Sequence, residues 1–262
     1  MPKYEFSAQF HKERIVSWIR EWFDKNGPGC NAVLGISGGK DSSIAAALCV
    51  EALGKDRVIG VMMPNGIQKD ICDSVKLCEA LGIRNITIDI KPAVDAILSS
   101  MDAIYEPMRD GYVAMEVSEQ TKRNLPPRIR MSTLYAVSQS MNGRVVNTCN
   151  LSETMLGWET RWGDAVGDFA PFADLTATEV IEIGKLCNIP IELVVKKPAD
   201  GLCGSTDEDA FGFTYEQLDA YIRTGITDEF ALIKIQAMER GSKFKRREIP
   251  KYYSEIKNCG NW

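Results

Sequence analysis

Hydrophobic residues between positions 15 and 23 recur every three or four residues, which predicts an amphipathic helix that ends at Asn26-Gly27-Pro28-Gly29. A short apolar run at 31–36 follows and predicts a buried strand. Helical and strand patterns then alternate: the next predicted elements are helices at 42–53 and 71–81 and strands at 57–63 and 85–90. Alternation of this kind indicates a parallel sheet covered by helices on both faces.

The second half of the chain has fewer strand signals. Its predicted elements are helices at 92–105, 128–141, 176–187, 214–224 and 228–240 and one strand at 144–148. Polar segments between them are predicted to be mobile loops, at about 106–127, 157–174 and 197–213, and a basic tail occupies 241–262. Because no linker divides the chain, we expect a single domain over 1–262 with its core at about 30–190. The predicted fold class is α/β, a doubly wound parallel sheet of about five strands.

Composition narrows the class of protein. Of 262 residues, 45% are hydrophobic and 26% are charged, which is typical of a globular domain. The net charge of −5 argues against a general binder of nucleic acid or membrane surfaces, and no apolar run is long enough to predict a membrane span or a signal peptide. None of the eight cysteines forms a CxxC pair. We therefore expect a reduced cytoplasmic protein with neither nucleic acid nor membrane as its partner.

The histidine count excludes several kinds of catalysis. His11 is the only histidine, and it falls in the first predicted helix. Serine and cysteine hydrolase triads and histidine-based zinc sites need a histidine elsewhere. The chemistry of this chain is therefore expected to use carboxylates, backbone amides, lysine, arginine or a metal ion.

The segment 35–43, Gly-Ile-Ser-Gly-Gly-Lys-Asp-Ser-Ser, joins the first predicted strand to the next helix. Adjacent glycines allow a tight turn whose N–H groups, together with the positive end of the helix, form a cradle for phosphate. A Walker A loop is excluded, because Leu34 stands where that motif has glycine and Asp41 follows Lys40. A carboxylate beside phosphate needs a divalent cation between them, so Asp41 predicts Mg²⁺ bound together with pyrophosphate. The structural alternative is a Gly-Gly turn without a ligand.

The same segment resembles the SGGxDS signature of the PP-loop ATP pyrophosphatases, which have the adenine nucleotide alpha hydrolase-like fold. Further segments resemble NAD synthetase and occur in that family's order, at 128–131, 147–153, 157–168, 174–176 and 200–208. The resemblance runs from about residue 30 to Pro250. It implies an ammonia-dependent ligase that converts deamido-NAD to NAD through an adenylated carboxylate, with ATP as co-substrate and AMP and pyrophosphate as products.

The resemblance also implies roles for individual residues. Asp41 and Glu153 are expected to hold Mg²⁺, although Glu153 alone could equally be an acid that stabilises the first turn of a helix. The implied ATP-binding residues are Gly35, Ile36, Ser37, Gly38, Gly39, Lys40, Asp41, Ser42, Thr148 and Thr206. The implied deamido-NAD-binding residues are Arg128, Arg161, Asp168 and Lys245. Since members of the family are generally homodimers, a homodimer is expected.

Some positions depart from the family pattern. Ala177 stands where the family often has a lysine that reaches the ATP phosphates, Pro126-Pro127 stands where Gln-Ala often occurs, and Phe244 replaces a polar residue or histidine. We hypothesise that Lys40 supplies the missing positive charge, and the equal alternative is that its side chain points to solvent. No residue resembles a nucleophile, and Asp164 is only a weak candidate for the base that deprotonates ammonium.

Two other functions are compatible with the glycine loop, an RNA-modifying enzyme and a nucleotide sensor. A PP-loop enzyme that acts on RNA would have a basic face or paired cysteines, and the net charge of −5 opposes it. A non-catalytic nucleotide sensor would be favoured by loss of Asp41 or Glu153, and both are present. The nitrogen source is expected to be ammonia rather than glutamine, because this length leaves no room for an amidase domain. A separate amidase partner stays open.

Overall fold

The computed structural model describes residues 4–68, 71–102, 105–108, 111–114, 116–196 and 206–252. The strands are β1 (Asn31–Gly35), β2 (Val58–Met62), β3 (Arg84–Thr87), β4 (Tyr105–Met108), β5 (Gly111–Ala114) and β6 (Gly143–Val145). The helices are α1 (Ala8–Asn26), α2 (Lys40–Leu53), α3 (Ile71–Leu81), α4 (Lys91–Asp102), α5 (Glu119–Ser140), α6 (Leu151–Leu156), α7 (Ala177–Gly184), α8 (Ile191–Val194), α9 (Asp207–Phe211), α10 (Tyr215–Thr224) and α11 (Glu229–Ser242).

Four strands form the main sheet in the order β3-β2-β1-β6, and every pairing is parallel. Val33 of β1 lies between Ile59 of β2 and Val145 of β6. A further parallel bridge joins Val146 to Phe169 at the edge. The doubly wound parallel α/β fold is confirmed, with four strands and one bridged segment where about five strands were predicted.

The two faces of this sheet bury different residues. Ala32 and Leu34 point into a core that includes apolar residues of α1, α2, α7 and α8. Val33 points the other way and packs with Val94 of α4 and Leu134 of α5. This alternation follows from the two-residue period of a strand, and it explains why β1 is apolar at consecutive positions.

A third apolar cluster lies outside the sheet. Residues of α6, α7, α9, α10 and α11 and of the connection between α9 and α10 form it: Leu156, Ala177, Phe211, Phe213, Tyr215, Leu218, Ala231 and Ile235. Because α6 follows β6 directly in the chain, this cluster connects the later helices to the carboxyl edge of the sheet.

The prediction of a loop at about 106–127 was wrong, because the segment contains regular secondary structure; its mobility stays a prediction. Strands β4 and β5 pair antiparallel within it, with Tyr105 opposite Ala114. Helix α5 then begins at Glu119, well before the predicted start at 128, and Ser118 caps it by accepting a hydrogen bond from the N–H of Thr121.

Helix α5 continues through Pro126 and Pro127. Proline inside a helix removes a backbone donor and normally ends or kinks the helix. Here Leu125, directly before the prolines, and Ile129, two residues after them, pack against the same buried core. Tertiary packing therefore outweighs the local preference that the sequence prediction followed.

The remaining loops have partly defined structures. Segment 157–174 consists of turns in which Phe169 and Phe172 are buried, and its mobility stays a prediction. Residues 197–205 of the third predicted loop lie outside the described residues, and the rest of it contains α9. The tail continues α11 as a short 3₁₀ helix, Lys243–Arg246, and from residue 253 it also lies outside them. Within the described part of the chain, no helix is both long and apolar enough to cross a membrane.

Candidate active site

The candidate site lies at the point where the order of the strands in the sheet reverses. The chain runs from β1 outward through β2 to β3, and β6 then pairs with the opposite side of β1. In open α/β sheets, ligands bind outside the carboxyl ends of the strands at such a switch point. The loop of Gly38 and Gly39 follows β1 and Thr148 follows β6, so the fold brings both predicted ATP-binding segments to one edge.

The loop after β1 has the form of an anion cradle. The N–H of Ile36 donates to the Val61 carbonyl at 2.9 Å and so extends the strand pairing by one residue. Gly38 adopts a φ of +76°, a conformation that favours glycine, and Gly39 is the N-cap of α2. The N–H groups of the first turn of a helix have no acceptor within the helix, and here they face the carboxyl edge of the sheet.

Serine hydroxyls fix the shape of this loop. The Ser37 Oγ accepts from the N–H of Gly39 at 3.2 Å and lies 3.1 Å from the Ser42 Oγ. Ser42 and Ser43 both donate to the Gly39 carbonyl, at 3.1 and 2.8 Å. These hydrogen bonds within the protein hold the loop in one conformation, which reduces the ordering that binding of a ligand requires.

Asn150 connects the two predicted metal-binding carboxylates. Its Nδ2 donates to Asp41 Oδ1 at 3.4 Å, and its Oδ1 accepts from the N–H of Glu153 at 3.1 Å. The N–H of Asn150 in turn donates to Glu153 Oε2 at 3.2 Å, which completes a capping box at the start of α6. Asn150 is fully buried, so this arrangement is held by the protein interior.

The charges of these carboxylates interact. Withdrawal from water and the nearby negative charge of Asp41 raise the pKa of Glu153, and the Lys40 ammonium partly opposes the shift. Such a pair of carboxylates is chemically suited to Mg²⁺, which is usually held by one or two of them, with phosphates and water completing its shell. Within the described ranges, no group of three or more His, Cys, Asp or Glu side chains could hold a metal ion.

Lys40 is buried, with 3% of its surface exposed, and the alternative in which it points to solvent is therefore wrong. Its Nζ lies 2.6 Å from Asp41 Oδ2 and 5.6 Å from the centre of the Tyr215 ring. Burial lowers the pKa of Lys40, but the charges of Asp41 and Glu153 outweigh burial and raise it above the ordinary value. Lys40 is therefore a cation inside the predicted phosphate site.

A second group of cations forms around segment 157–163. Arg128 Nε donates to the Arg161 carbonyl at 3.3 Å. Lys245 Nζ donates to the carbonyls of Gly157 and Glu159, at 2.7 and 2.9 Å. Three of the four predicted deamido-NAD-binding residues therefore meet at this segment: Arg161 is part of it, and Arg128 and Lys245 bind its carbonyl groups.

The guanidinium of Arg161 is held between two aromatic rings. Its central carbon lies 4.9 Å from the centre of the Trp162 ring and 5.8 Å from that of Phe244. Its Nε is buried, and among the described residues it has no hydrogen-bond partner. Because buried donors are normally satisfied, this atom is suited to receive an anionic ligand.

The other predicted residues have local partners. Asp168, the fourth predicted deamido-NAD-binding residue, accepts hydrogen bonds from Tyr135 Oη at 3.2 Å and from the N–H of Val145 at 2.7 Å. These contacts attach Asp168 to α5 and to β6. Thr206 is the N-cap of α9 and accepts from the N–H of Asp209 at 3.2 Å.

Asn150, Tyr215 and Asp207 were missed by the sequence analysis. Asn150 could have been found, because an asparagine three residues before Glu153 is the pattern of a capping box. Tyr215 donates from its hydroxyl to Asp207 Oδ2 at 3.2 Å, and its ring faces Lys40. No local pattern indicates that contact, since these residues meet only through the packing of α9 and α10.

Three further residues, Ala177, Glu159 and Asp164, lie close in the chain to the predicted site residues. Ala177 is completely buried, and its N–H donates to the Ser152 Oγ at 3.0 Å. Glu159 is 7% exposed, accepts from the Thr154 hydroxyl at 2.9 Å, and has its pKa raised mainly by burial. Asp164, the weak candidate for a base, accepts from the N–H of Thr160 at 2.7 Å and so closes a turn.

The chain is similar to known proteins over most of its length. A model of the NAD synthase family matches residues 11–250. The NH(3)-dependent NAD(+) synthetase of Pyrococcus furiosus is 39% identical over 208 residues, which are 79% of this chain and 76% of that protein. The structure of NMN synthetase from Francisella tularensis is 30% identical with a TM-score of 0.84 and covers 95% of this chain and 99% of its own. An NH3-dependent NAD synthetase from Campylobacter jejuni is 27% identical with a TM-score of 0.74, over 95% and 100% of the two chains.

Proposed function

The chain belongs to the NAD synthase family, and from this premise we propose that it amidates deamido-NAD to NAD with ATP and ammonia. The observation that carries the proposal is the linkage of Asp41 to Glu153 through the buried Asn150, beside a glycine loop at the switch point of the sheet. Two carboxylates beside this loop support a reaction in which Mg²⁺ and pyrophosphate are bound together.

The reaction has two steps. A carboxylate oxygen of the nicotinate ring attacks the α-phosphorus of ATP, and the bond to pyrophosphate breaks. The nitrogen of ammonia then attacks the carboxyl carbon, AMP leaves with the bridging oxygen, and a proton passes to solvent. Because the adenylate carries a good leaving group, the protein needs no nucleophile of its own, and its residues position the reactants and stabilise charge.

Residues of the first loop bind the nucleotide. The amides and hydroxyls of segment 35–42 surround the phosphates of ATP, and Thr148 and Thr206 contact the same nucleotide. Asp41 and Glu153 would hold Mg²⁺, which when bound neutralises charge on the triphosphate and on the pyrophosphate that leaves.

The second group of cations binds deamido-NAD. Arg128, Arg161 and Lys245 neutralise its diphosphate, and Arg161 presents a free buried Nε to it. Asp168 contacts the same ligand while it braces α5 against β6.

A second candidate substrate follows from one comparison. The Francisella tularensis structure with a TM-score of 0.84 is an NMN synthetase. Amidation of nicotinate mononucleotide uses the same carboxylate and the same ATP chemistry, but its substrate lacks the second nucleotide. The ratio of kcat/KM for deamido-NAD and nicotinate mononucleotide, measured with ATP, Mg²⁺ and ammonium chloride, decides which substrate is preferred.

The central experiment measures NAD and pyrophosphate together. The protein is incubated with Mg²⁺, ATP and ammonium chloride, with and without deamido-NAD. We expect equal amounts of NAD and pyrophosphate, and both should depend on deamido-NAD. Release of pyrophosphate without deamido-NAD, or absence of amidated product from both substrates, would contradict the proposal. Replacing ammonium by glutamine should leave little activity.

We also infer a homodimer in the cytoplasm. Trp162 and Phe244 are each 54% exposed beside the deamido-NAD-binding cations, so a second copy would cover apolar surface at the site. The cysteines of the described residues are free thiols, as a reducing compartment requires. Sedimentation at several protein concentrations tests the dimer, and fractionation of the source cells tests the compartment.

A further inference from the structure

We propose that Asp219 of α10 is a positioning residue: it holds the start of α6 through Ser152 and so fixes the Glu153 carboxylate where that group can bind the metal ion. The inference rests on the proposed function for the metal site. It adds a residue from a helix that lies far from Glu153 in the chain and that no motif of the sequence connects with the site.

The side chain of Ser152 is the direct link between α6 and α10. Its hydroxyl donates to Asp219 Oδ1 at 2.5 Å and accepts from the N–H of Ala177 at 3.0 Å. Ser152 is completely buried, and the next residue in the chain is Glu153. Because these two residues are consecutive in the first turn of α6, a displacement of Ser152 also displaces the backbone that carries the Glu153 carboxylate.

The other oxygen of Asp219 binds the segment on which α6 rests. Asp219 Oδ2 accepts from the N–H of Thr178 at 2.8 Å. The same segment contacts the start of α6 through its backbone, because the N–H of Leu151 donates to the Leu175 carbonyl at 2.8 Å. One carboxylate therefore binds both α6 and the residues that support it.

The burial of Asp219 indicates why a carboxylate is needed there. Asp219 is 5% exposed, and the donors that reach it are the neutral hydroxyl of Ser152 and the N–H of Thr178. Burial raises the pKa of Asp219, although these hydrogen bonds oppose the shift. A neutral serine or asparagine could accept from Thr178 alone without the cost of a buried charge. An ionised carboxylate offers two strong acceptors, which two donors on different elements can share.

Arg223, one turn later in α10, provides a comparison within the same helix. Its Nε and Nη2 donate to the Glu179 carboxylate at 2.7 and 2.6 Å, and Nη2 also donates to the Asp174 carbonyl at 2.6 Å. These bonds attach α10 to the residues on either side of 175–178, but none of them reaches α6. Asp219 and Arg223 therefore separate the attachment of α10 from the placement of α6.

Asn150 and Asp219 together hold the first turn of α6. Asn150 caps that turn and contacts Asp41, and Asp219 holds the buried hydroxyl of Ser152. Removal of residues that orient metal ligands typically lowers metal affinity by about 10- to 100-fold. Loss of Asp219 should therefore weaken metal binding. The glycine loop, with which Asp219 shares no hydrogen bond among the described residues, should keep its affinity for the nucleotide.

The test compares nucleotide binding with and without a metal ion. The probe is α,β-methylene-ATP, in which a methylene group replaces the oxygen whose bond to phosphorus would break. Calorimetry on the whole protein gives its dissociation constant in EDTA and in Mn²⁺, an ion that takes the same oxygen ligands as Mg²⁺. The constant in EDTA divided by that in Mn²⁺ is the metal ratio. We expect Asp219→Ala to lower the metal ratio about 10-fold and to leave the constant in EDTA unchanged.

The matched control is Arg223→Gln, which should keep the metal ratio of the parent protein. A metal ratio within about twofold of the parent value in Asp219→Ala would overturn the proposal. Equal weakening in Mn²⁺ and EDTA would also overturn it, because Asp219 would then serve general stability. An equal reduction of the metal ratio in Arg223→Gln would do the same, since any disturbance of α10 would be sufficient.

Ser152→Ala provides a second variant if Asp219→Ala does not fold. It removes the hydroxyl that Asp219 holds and leaves the carboxylate in place. Its metal ratio should fall in the same direction as that of Asp219→Ala. An unchanged metal ratio in Ser152→Ala would overturn the proposal.

The proposed function and the role of Asp219 can fail separately. Glu153→Gln alters the proposed metal ligand itself, and an unchanged metal ratio in that variant would remove the metal site and the role of Asp219 with it. A reduction in Glu153→Gln without a reduction in Asp219→Ala would remove the role of Asp219 alone. Parent protein that makes neither amidated product, while both variants lower the metal ratio, would remove the proposed reaction alone.

Discussion

The ammonium of Lys40 and the carboxylate of Asp41, adjacent in the chain, form an ion pair of 2.6 Å with side chains only 3% and 16% exposed. Adjacent residues in a helix do not normally face each other, so the pair depends on the bend of the chain where the loop enters α2. Breaking a buried pair from one side leaves an unpaired charge, which costs several kcal/mol. Asp41, the proposed metal ligand, is therefore also a structural partner of Lys40, and variants of Asp41 and Glu153 should differ in stability.

Asp41→Asn and Glu153→Gln should each lower kcat by about 100-fold or more, because each removes charge from the metal site. Glu153→Gln keeps an acceptor for the capping box and should melt near the parent temperature. Asp41→Asn leaves the Lys40 ammonium with weaker pairing and should unfold at a lower temperature. Kinetics at saturating Mg²⁺ and thermal melts measure the two effects.

Near-normal turnover in either carboxylate variant would show that the metal site is assigned to the wrong residues. Equal melting temperatures for the two variants would show that the Lys40–Asp41 pair contributes nothing to stability.

Asn150→Ala should reduce both stability and activity. It removes the N-cap of α6, which costs about 1 kcal/mol, and it also removes the amide that contacts Asp41. Asn150→Asp keeps an acceptor for the cap but adds a buried negative charge beside Asp41, so it should be destabilised as well. Denaturant unfolding gives the free energies, and an unchanged midpoint in Asn150→Ala would refute the linkage.

The strand and helix pattern of 31–90 could be predicted from the sequence, because local periodicity and tertiary packing agree there. The start of α5 could not, since its two prolines argue locally against the helix that packing against the sheet imposes. The glycine loop could be predicted as a phosphate cradle from its own short motif, whereas a role for Glu153 could be predicted only through the family resemblance. The contact of Tyr215 with Lys40 was not found, because it joins residues far apart in the sequence through the packing of short helices.

Glu159→Gln should stabilise the free protein at alkaline pH. Burial raises the pKa of Glu159. Above that pKa the carboxylate is charged in both states, but its charge is buried in the folded state and hydrated in the unfolded state, which lowers the free energy of unfolding. As the pH falls toward the ordinary value of a glutamate, the folded protein takes up the proton first and this cost disappears. The increase in Tm should therefore be largest near pH 8 and should shrink toward pH 4.5.

The matched control for Glu159 is Glu182→Gln on the surface of α7, which should show no such trend. A melting difference for Glu159→Gln that is constant with pH would exclude the buried charge as its cause.

Arg161→Lys should raise the KM for deamido-NAD about 10-fold, or roughly 1.4 kcal/mol, and leave the KM for ATP unchanged. Lysine keeps the charge but lacks the planar fork and cannot occupy the gap between Trp162 and Phe244. Phe244→Leu should produce a smaller effect in the same direction. Initial rates with each substrate varied in turn give the values, and an ATP KM that rises in parallel would contradict this placement.

Asp168 combines a proposed ligand contact with a structural one, and a double-mutant cycle separates them. Asp168→Ala removes the acceptor for Tyr135 and for the N–H of Val145, and should cost about 1–2 kcal/mol of unfolding free energy. Tyr135→Phe removes one of those bonds and should cost less. Because the pair shares one hydrogen bond, the double variant should be less destabilised than the sum of the single variants by about 0.5–1 kcal/mol.

Tyr135→Phe should also leave the KM for deamido-NAD unchanged while Asp168→Ala raises it. If the changes in unfolding free energy are additive, the Tyr135–Asp168 hydrogen bond does not stabilise the position of α5. If both variants have the same KM for deamido-NAD, Asp168 does not contact that substrate.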